Sequence, residues 1–280
     1  MTVRLTILGC GSSGGVPRVG NDWGLCDPEN SKNRRRRCAL LVEKLGDKGT
    51  TTVLIDTGPD LREQLLSADV GRLDAVLYTH AHADHLHGID DLRALMVHSG
   101  KRTPVYMDAF TYERAYAAFS YCFETPEGSN YPPILDHHPI DPAIPVHVSG
   151  PGGDLYFEPI TVEHGDIQAL GFRIGNAAYV PDVSTIPETS YKKLISLELL
   201  ILDCLRRRPH PSHFNLDDAL ECTRKLSPQK TIFTNLHNDL DHQQLMDELP
   251  ETIEPAFDGQ QVTIELPVPT QIRKDVEYAG

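Results

Sequence analysis

Residues 79–88 read THAHADHLHG, four histidines and one aspartate directly behind the largely apolar stretch LDAVLY at 73–78. That stretch reads as a strand. In an extended segment, residues two apart point to the same side, so His80 and His82 can offer two imidazoles to one ion. Asp84 and His85 follow where strand gives way to helix, and the turn aims them at a neighbouring position. Two facing donor pairs point to two metal ions sharing one site. His87 lies inside the following turn, points away, and is read as a bystander. Leu86, Ile89, Leu92, Leu95 and Met96 then keep helical spacing.

A catalytic ion generally takes three protein donors around an open position, so four donors are too few for two ions. The remaining chain offers His164 behind a strand at 155–163, Asp182 behind one at 177–180, and His237 behind one at 230–234. Each is a donor at the C-terminal end of a predicted strand. This shared placement carries more weight than any single residue. The donors are all nitrogen and oxygen, which suits zinc and tolerates manganese or iron.

Further strands are predicted at 3–8, 38–43, 51–55, 104–107, 171–174, 199–203 and 261–266, and helices at 61–67, 112–123, 188–194, 216–226 and 243–249. Strands cluster early and late with helices interspersed. An α/β (α+β) arrangement of two sheets with outer helices fits this better than one doubly wound sheet. Gly9, Gly11 and Gly14 match the G-x-G-x-x-G spacing, but Pro17, Gly20 and Asn21 forbid the helix a dinucleotide site needs. The glycines are read as a loop that lets backbone approach something closely. Residues 125–153 are rich in Pro and Gly and are expected to be an irregular excursion, a lid or a partner surface. The whole chain, 1–280, is expected to form a single domain.

A formal net charge of −14 repels long nucleic acid, which is excluded as a partner. A small anionic substrate is compatible, because bound metal ions invert the local field. No apolar run reaches the roughly 18 residues of a membrane span, and MTVRLTILGCG does not read as a signal peptide, so no membrane partner and a cytoplasmic location are expected. Six cysteines without a CxxC pair are read as reduced thiols.

THAHADH resembles the H-x-H-x-D-H signature of the metallo-β-lactamase fold, and the order of His164, Asp182 and His237 is similar to that family's remaining ligands. The resemblance extends from LTILGCGSSGGVP to the last of these histidines. It implies an αββα four-layer sandwich, two mixed sheets with helices on the outer faces and the site along one edge. It further implies that His80, His82 and His164 hold one metal, that Asp84, His85 and His237 hold the other, and that Asp182 bridges them. AAYVPDVSTIPETSYKKL resembles the segment around the bridging aspartate of PhnP-like cyclic phosphodiesterases. SHFNLDDAL resembles a histidine segment of ribonuclease Z and PhnP, which implies that His213 lies beside the substrate phosphate. Asp56 in LIDTGPD could be an ordinary turn residue; the resemblance implies that it orients a metal-binding histidine. PhnP also carries a structural zinc. Here only Cys26 stands in NDWGLCDP and Leu240 replaces the late histidine, so no structural zinc is expected. The tRNA-binding arm of ribonuclease Z is not evident.

The expected activity is hydrolysis of a small phosphodiester, a cyclic phosphate or a nucleotide-type substrate. A hydroxide bridging two zinc or manganese ions, with iron the lesser candidate, attacks while Asp84 and Asp182 orient it. His213 stabilises the phosphate or protonates the departing oxygen. Arg206, Arg207 and Arg208 in LRRRPHPSH lead from a strand end to His213 and either hold a second phosphate or base or pair with surface carboxylates. The run Arg34–Arg37 is read as a solvated basic face, with phosphate contact as the alternative. His98, His147 and His242 are read as surface or satisfied core residues, and His137 and His138 as loop residues. A lactone or other ester hydrolase and a non-catalytic nucleotide-binding module stay open as alternatives. An H-x-E-x-D oxidoreductase is disfavoured by His82 and by the lack of a flavin domain. A homodimer is left open.

Overall fold

In β1 (Thr2–Gly9), Val3, Leu5 and Ile7 alternate with residues of the opposite face, yet Leu8 on that face is equally buried. A strand apolar on both faces needs a layer above and a layer below it. The structure, a computed structural model, describes residues 1–266 and supplies both layers. One seven-stranded sheet runs β14 (Gln260–Glu265), β1, β2 (Ala39–Gly46), β3 (Gly49–Ile55), β4 (Ala75–Leu77), β5 (Thr103–Met107), β6 (Leu135–Pro139). Its first four strands pair antiparallel and β3 to β6 pair parallel. The other runs β13 (Ile253–Pro255), β12 (Lys230–Thr234), β11 (Leu199–Asp203), β10 (Ala177–Val180), β9 (Ile167–Ile174), β8 (Leu155–His164), β7 (Val146–Val148). There β13 to β10 are parallel and β10 to β7 antiparallel.

Three apolar layers follow from this stacking. Leu5, Ile7, Val42 and Val53 meet Phe157, Phe172, Tyr179 and Ile201 between the sheets. The outer face of the first sheet, Leu41, Leu54, Val76 and Val105, is covered by α1 (Leu61–Ser67), α3 (Leu92–Ser99) and α4 (Ala109–Phe123). The outer face of the second, Ile160, Leu200, Leu202 and Phe233, is covered by α5 (Glu188–Tyr191), α6 (Leu216–Leu226) and α7 (His242–Glu248). The result is the αββα sandwich that the resemblance implies. Among the described residues no helix is long and apolar enough to cross a membrane.

Two stretches differ from the sequence expectation. Residues 86–96 do not form one helix: α2 (Ala83–Leu86), a 3-10 turn (Ile89–Asp91) and α3 follow one another. The break has a steric cause. Gly88 N–H donates to Thr57 C=O at 2.7 Å, and a Cβ at Gly88 would lie 2.1 Å from Gly58 O, so the chain is pinned against the loop behind β3. The expected irregular excursion at 125–153 contains β6 and β7, the edge strands of the two sheets, and is therefore the crossover between them. Edge strands need partners on one side only and tolerate proline, which is why LDHHP reads as loop. His137 and His138 accordingly lie on β6, stacked on Tyr112 (3.7 Å between ring centres) and Tyr106 (5.0 Å).

Candidate metal centre

The C-terminal ends of β3, β4, β8, β10, β11 and β12 deliver polar side chains to one edge of the sandwich, where parallel strand ends leave a crevice. Asp56, behind β3, is fully buried at φ +68°, a left-handed conformation that Asp tolerates through its short polar side chain. Its Oδ1 accepts from Thr79 N–H and its Oδ2 from Thr79 Oγ1, both at 2.8 Å. The same Oδ2 lies 2.8 Å from His85 Nδ1. With Nδ1 so engaged, His85 turns Nε2 toward Asp182 Oδ2 at 3.0 Å and Asp84 Oδ2 at 3.5 Å. His80 Nδ1 contacts Thr79 Oγ1 at 3.0 Å, which leaves its Nε2 facing the same space.

His164 ends β8, and its Nδ1 donates to Ser212 C=O at 2.6 Å. Gly165 makes that contact possible: it sits at φ +64°, and a Cβ there would come 2.8 Å from Ser212 Cβ. His164 Nε2 then meets His82 Nδ1 at 3.1 Å. Three groups of donors lie within 4.8 Å of one another: His80, His82 and His164; His80, His85 and Asp182; and His164, Asp182 and His213. Asp182 belongs to two of them.

His80 Nε2, His85 Nε2 and Asp182 Oδ2 are buried and none makes a well-directed hydrogen bond, the last two facing each other at 3.0 Å. Buried polar atoms are rarely left so, and convergent orphans of this chemistry fit divalent metal ions. Electrostatics agree. Burial lowers His164, and lowers His80 well below the ordinary imidazole range, which favours the neutral form that ligates. Burial also opposes charge on His85, but Asp182, Asp84 and Asp56 outweigh it and raise it, marking a spot where positive charge is stabilised.

The sequence reading missed the carboxylate behind His213. Asp203, the last residue of β11, is fully buried, and its Oδ2 lies 2.8 Å from His213 Nδ1. Burial pushes Asp203 up to about 6. Burial works against charge on His213, yet Asp203 and Asp182 together raise it to about 9. Asn235, at φ +61°, donates from Nδ2 to Asp203 Oδ1 at 3.1 Å and to Pro181 C=O at 3.1 Å, tying β12 to the pair. The strand-end rule that found Asp182 and His237 also finds Asp203 in LLILD.

Not every expected residue joins the cluster. Asp84 lies outside the three donor groups, and so does His237. Its Nδ1 is 3.1 Å from Asp239 Oδ1, and its Nε2 meets the guanidinium of Arg18, a residue the sequence reading passed over. The arginines of the loop before His213 hold the loop itself: Arg206 donates to the carbonyls of Arg208 and Pro209, and Arg207 pairs with Glu248 at 2.9 Å. Arg208 is exposed. The run Arg34–Arg37 is not one solvated face. Arg35 is 2% exposed and donates to the carbonyls of His237 (3.1 Å) and Leu240 (2.7 Å), while Arg36 pairs with Asp258 and Arg37 with Asp60. The glycine loop approaches this run, since a Cβ at Gly9 would lie 2.0 Å from Arg37 O. His87 is exposed, its ring edge-on to Phe119. A cavity of about 210 Å³ lined by Arg72, Asp74, Lys101 and Arg102 lies at the opposite, N-terminal ends of β4 and β5, where none of these donors stands.

Comparison with known proteins agrees with the geometry. A family model described as the Beta-lactamase superfamily domain matches residues 51–235. A solved structure described as a new diphosphatase from the PhnP family is 36% identical with a TM-score of 0.85, covering 96% of this chain and 99% of that one. An octanoyltransferase of Porphyromonas gingivalis is 33% identical over 267 residues, 94% of this chain but 52% of that protein, so the chain spans about half the length of this curated relative. A ribonuclease Z of Bradyrhizobium diazoefficiens is 47% identical over 60 residues, 21% of this chain and 19% of that protein.

Proposed function

We propose an activity for this chain, which belongs to the beta-lactamase superfamily: metal-dependent hydrolysis of a small phosphodiester, a cyclic phosphate or nucleotide-type substrate. The observation that carries it is the meeting of His80 Nε2, His85 Nε2 and Asp182 Oδ2, buried and without a well-directed hydrogen bond, beside a histidine held by its own buried carboxylate. The likeness to a PhnP-family diphosphatase supports phosphate chemistry at such a site. We assign His80, His82 and His164 to one ion and Asp84, His85 and His237 to the other, with Asp182 shared. His237 takes part once Arg18 gives way at its Nε2. Zinc or manganese suits this nitrogen and oxygen set better than iron. Divalent ions held there would supply a nucleophile from water near neutral pH and would neutralise charge on the phosphate.

The chain's own residues do the rest. Asp56 and Ser212 C=O fix the tautomers of His85 and His164, so that each presents Nε2 to the centre. Asp203 occupies His213 Nδ1, which leaves Nε2 as the atom that hands a proton to the departing oxygen. The net charge of −14 keeps long nucleic acid away, and six buried free cysteines suit a reducing cytoplasm. The acyl-transfer activity in the name of the half-covered relative belongs to a protein of which this chain matches 52%, so that name carries no assignment here.

The test is hydrolysis of bis(p-nitrophenyl) phosphate by protein loaded separately with zinc and with manganese, with Asp182→Ala as control. Turnover that disappears in the control supports the reading. Inert metal-loaded protein that nonetheless opens lactones would replace it with an ester hydrolase.

A further inference from the structure

A cavity of about 260 Å³ opens beside the donor cluster, with His82 in its wall. We propose that it receives a flat ring carried by the substrate phosphate, a nucleobase or a simple aryl group. The inference rests on the hydrolase reading only for the position of the phosphate.

The cavity is assembled from three separate elements. Leu86 and His87 come from the end of α2, Phe110 and Arg114 from the first turns of α4, and Ile167 from the start of β9. Phe110 and Arg114 are four apart on a helix and therefore share a face. The Arg114 guanidinium carbon stands 5.2 Å from the Phe110 ring centre, a stacking distance for a planar cation over an aromatic face. Phe110 is 42% exposed, although Thr111 and Ala115 beside it on the same helix are buried. An aromatic side chain stacked by a neighbouring cation and half open to solvent offers area that the described residues leave uncovered. His87 contributes a third flat side chain and stays exposed, with its edge against Phe119 at 5.4 Å between ring centres.

This mixture selects the occupant. Leu86 and Ile167 alone would suit an alkyl chain. Phe110, Arg114 and His87 instead offer flat faces and hydrogen-bonding edges, which suit a planar heteroaromatic or aryl ring. Arg114 is also a cation on a chain of net charge −14, and it favours a ligand that bears phosphate. His82 belongs both to the cavity wall and to the cluster, where its Nδ1 lies 3.1 Å from His164 Nε2. A ring in the cavity therefore stands within a few bonds of a phosphate at the cluster. The cavity's place next to His82 also gives His87 a role as its wall rather than as a ligand.

Binding separates this assignment from catalysis. AMP, phenyl phosphate and ribose 5-phosphate would be titrated calorimetrically into the zinc-loaded full chain, and again into Phe110→Ala and Phe110→Trp. We expect a ring-bearing phosphate to bind roughly five- to 150-fold more tightly than ribose 5-phosphate, an advantage that Phe110→Ala removes and Phe110→Trp keeps, with ribose 5-phosphate unchanged throughout. An advantage shared by phenyl phosphate assigns the cavity to aryl rings in general, and one confined to AMP assigns it to a nucleobase. Equal binding of all three ligands, or an advantage that survives Phe110→Ala, overturns the proposal. Unchanged thermal midpoints would confirm that both variants fold, as expected for a half-exposed side chain. If bis(p-nitrophenyl) phosphate is not turned over while AMP keeps a Phe110-dependent advantage, hydrolysis falls and the cavity assignment stands.

Discussion

Replacing Asp56 by asparagine takes one charge from beneath the cluster and alters almost nothing in shape. The backbone can keep its φ of +68°, because Asn tolerates the left-handed region as Asp does. The asparagine oxygen can still accept from Thr79 N–H, but its NH2 group cannot accept from His85 Nδ1 or Thr79 Oγ1, both of which now meet the same carboxylate oxygen at 2.8 Å. Losing a charge-assisted hydrogen bond at a fully buried site costs about 1.5–3 kcal/mol of folding stability. It also frees His85 to rotate or to change tautomer, and disturbing such a partner weakens metal binding by roughly 10- to 100-fold. Asp56→Ala should be worse by a further ~1–2 kcal/mol, since alanine is strained at this φ. Urea unfolding of the metal-free variants would read the first effect, and competition with a chromophoric chelator for zinc would read the second. An asparagine variant that matched the natural chain in both would refute the claim that Asp56 orients His85 for a metal.

Three further outcomes follow from the same geometry. His213→Ala should keep its metal content by elemental analysis yet lose about 10²–10⁴ of its turnover on a phosphodiester, and equal turnover would remove His213 from the reaction. Gly165→Ala, with φ +64° and a Cβ only 2.8 Å from Ser212 Cβ, should lower urea stability by about 1–2 kcal/mol and weaken zinc binding through His164; a variant as stable as the natural chain would contradict the described turn. His242, buried at the start of α7, is held down to about 4, first by burial and then by Lys32 and Arg35. The unfolded chain takes up this proton below about 6.5 and the folded chain refuses it until about 4, so stability should fall by up to about 3 kcal/mol as pH drops through that window. His242→Gln should flatten that part of the stability profile, and an identical profile in the two proteins would show that His242 is not the group responsible.

The legible parts of the fold share a physical character. Strands 177–180, 199–203 and 230–234 and the helix 216–226 are found at the predicted bounds because apolar periodicity specifies them within a dozen residues. The helix is also delimited locally, by a capping box from Asn215 and Asp218 at one end and Ser227 in the left-handed region at the other. The edge strands β6, β7 and β13 were not legible, since they are short, pair on one side and carry proline or histidine. Gly88 broke an otherwise continuous helical pattern because of Gly58, which sits in a loop far back in the chain.

The site divides along the same line. His80, His82, Asp84 and His85 announce themselves by local spacing, and His164, Asp182 and His237 by standing at strand ends, so the candidate donors and their common edge are legible in the sequence, although Asp84 and His237 stand outside the groups that come together. Which donor meets which is a matter of long-range packing. Only the packed sandwich sets Asp203 against His213, Arg18 against His237 and Asp56 beneath His85. Arg35 shows why. Its run of four arginines looks like a solvated patch until the carbonyls of His237 and Leu240, 202 and 205 residues away, arrive to accept its hydrogen bonds. Local spacing selects the chemistry a side chain can offer, and burial against distant segments decides whether it faces a metal, a partner or water.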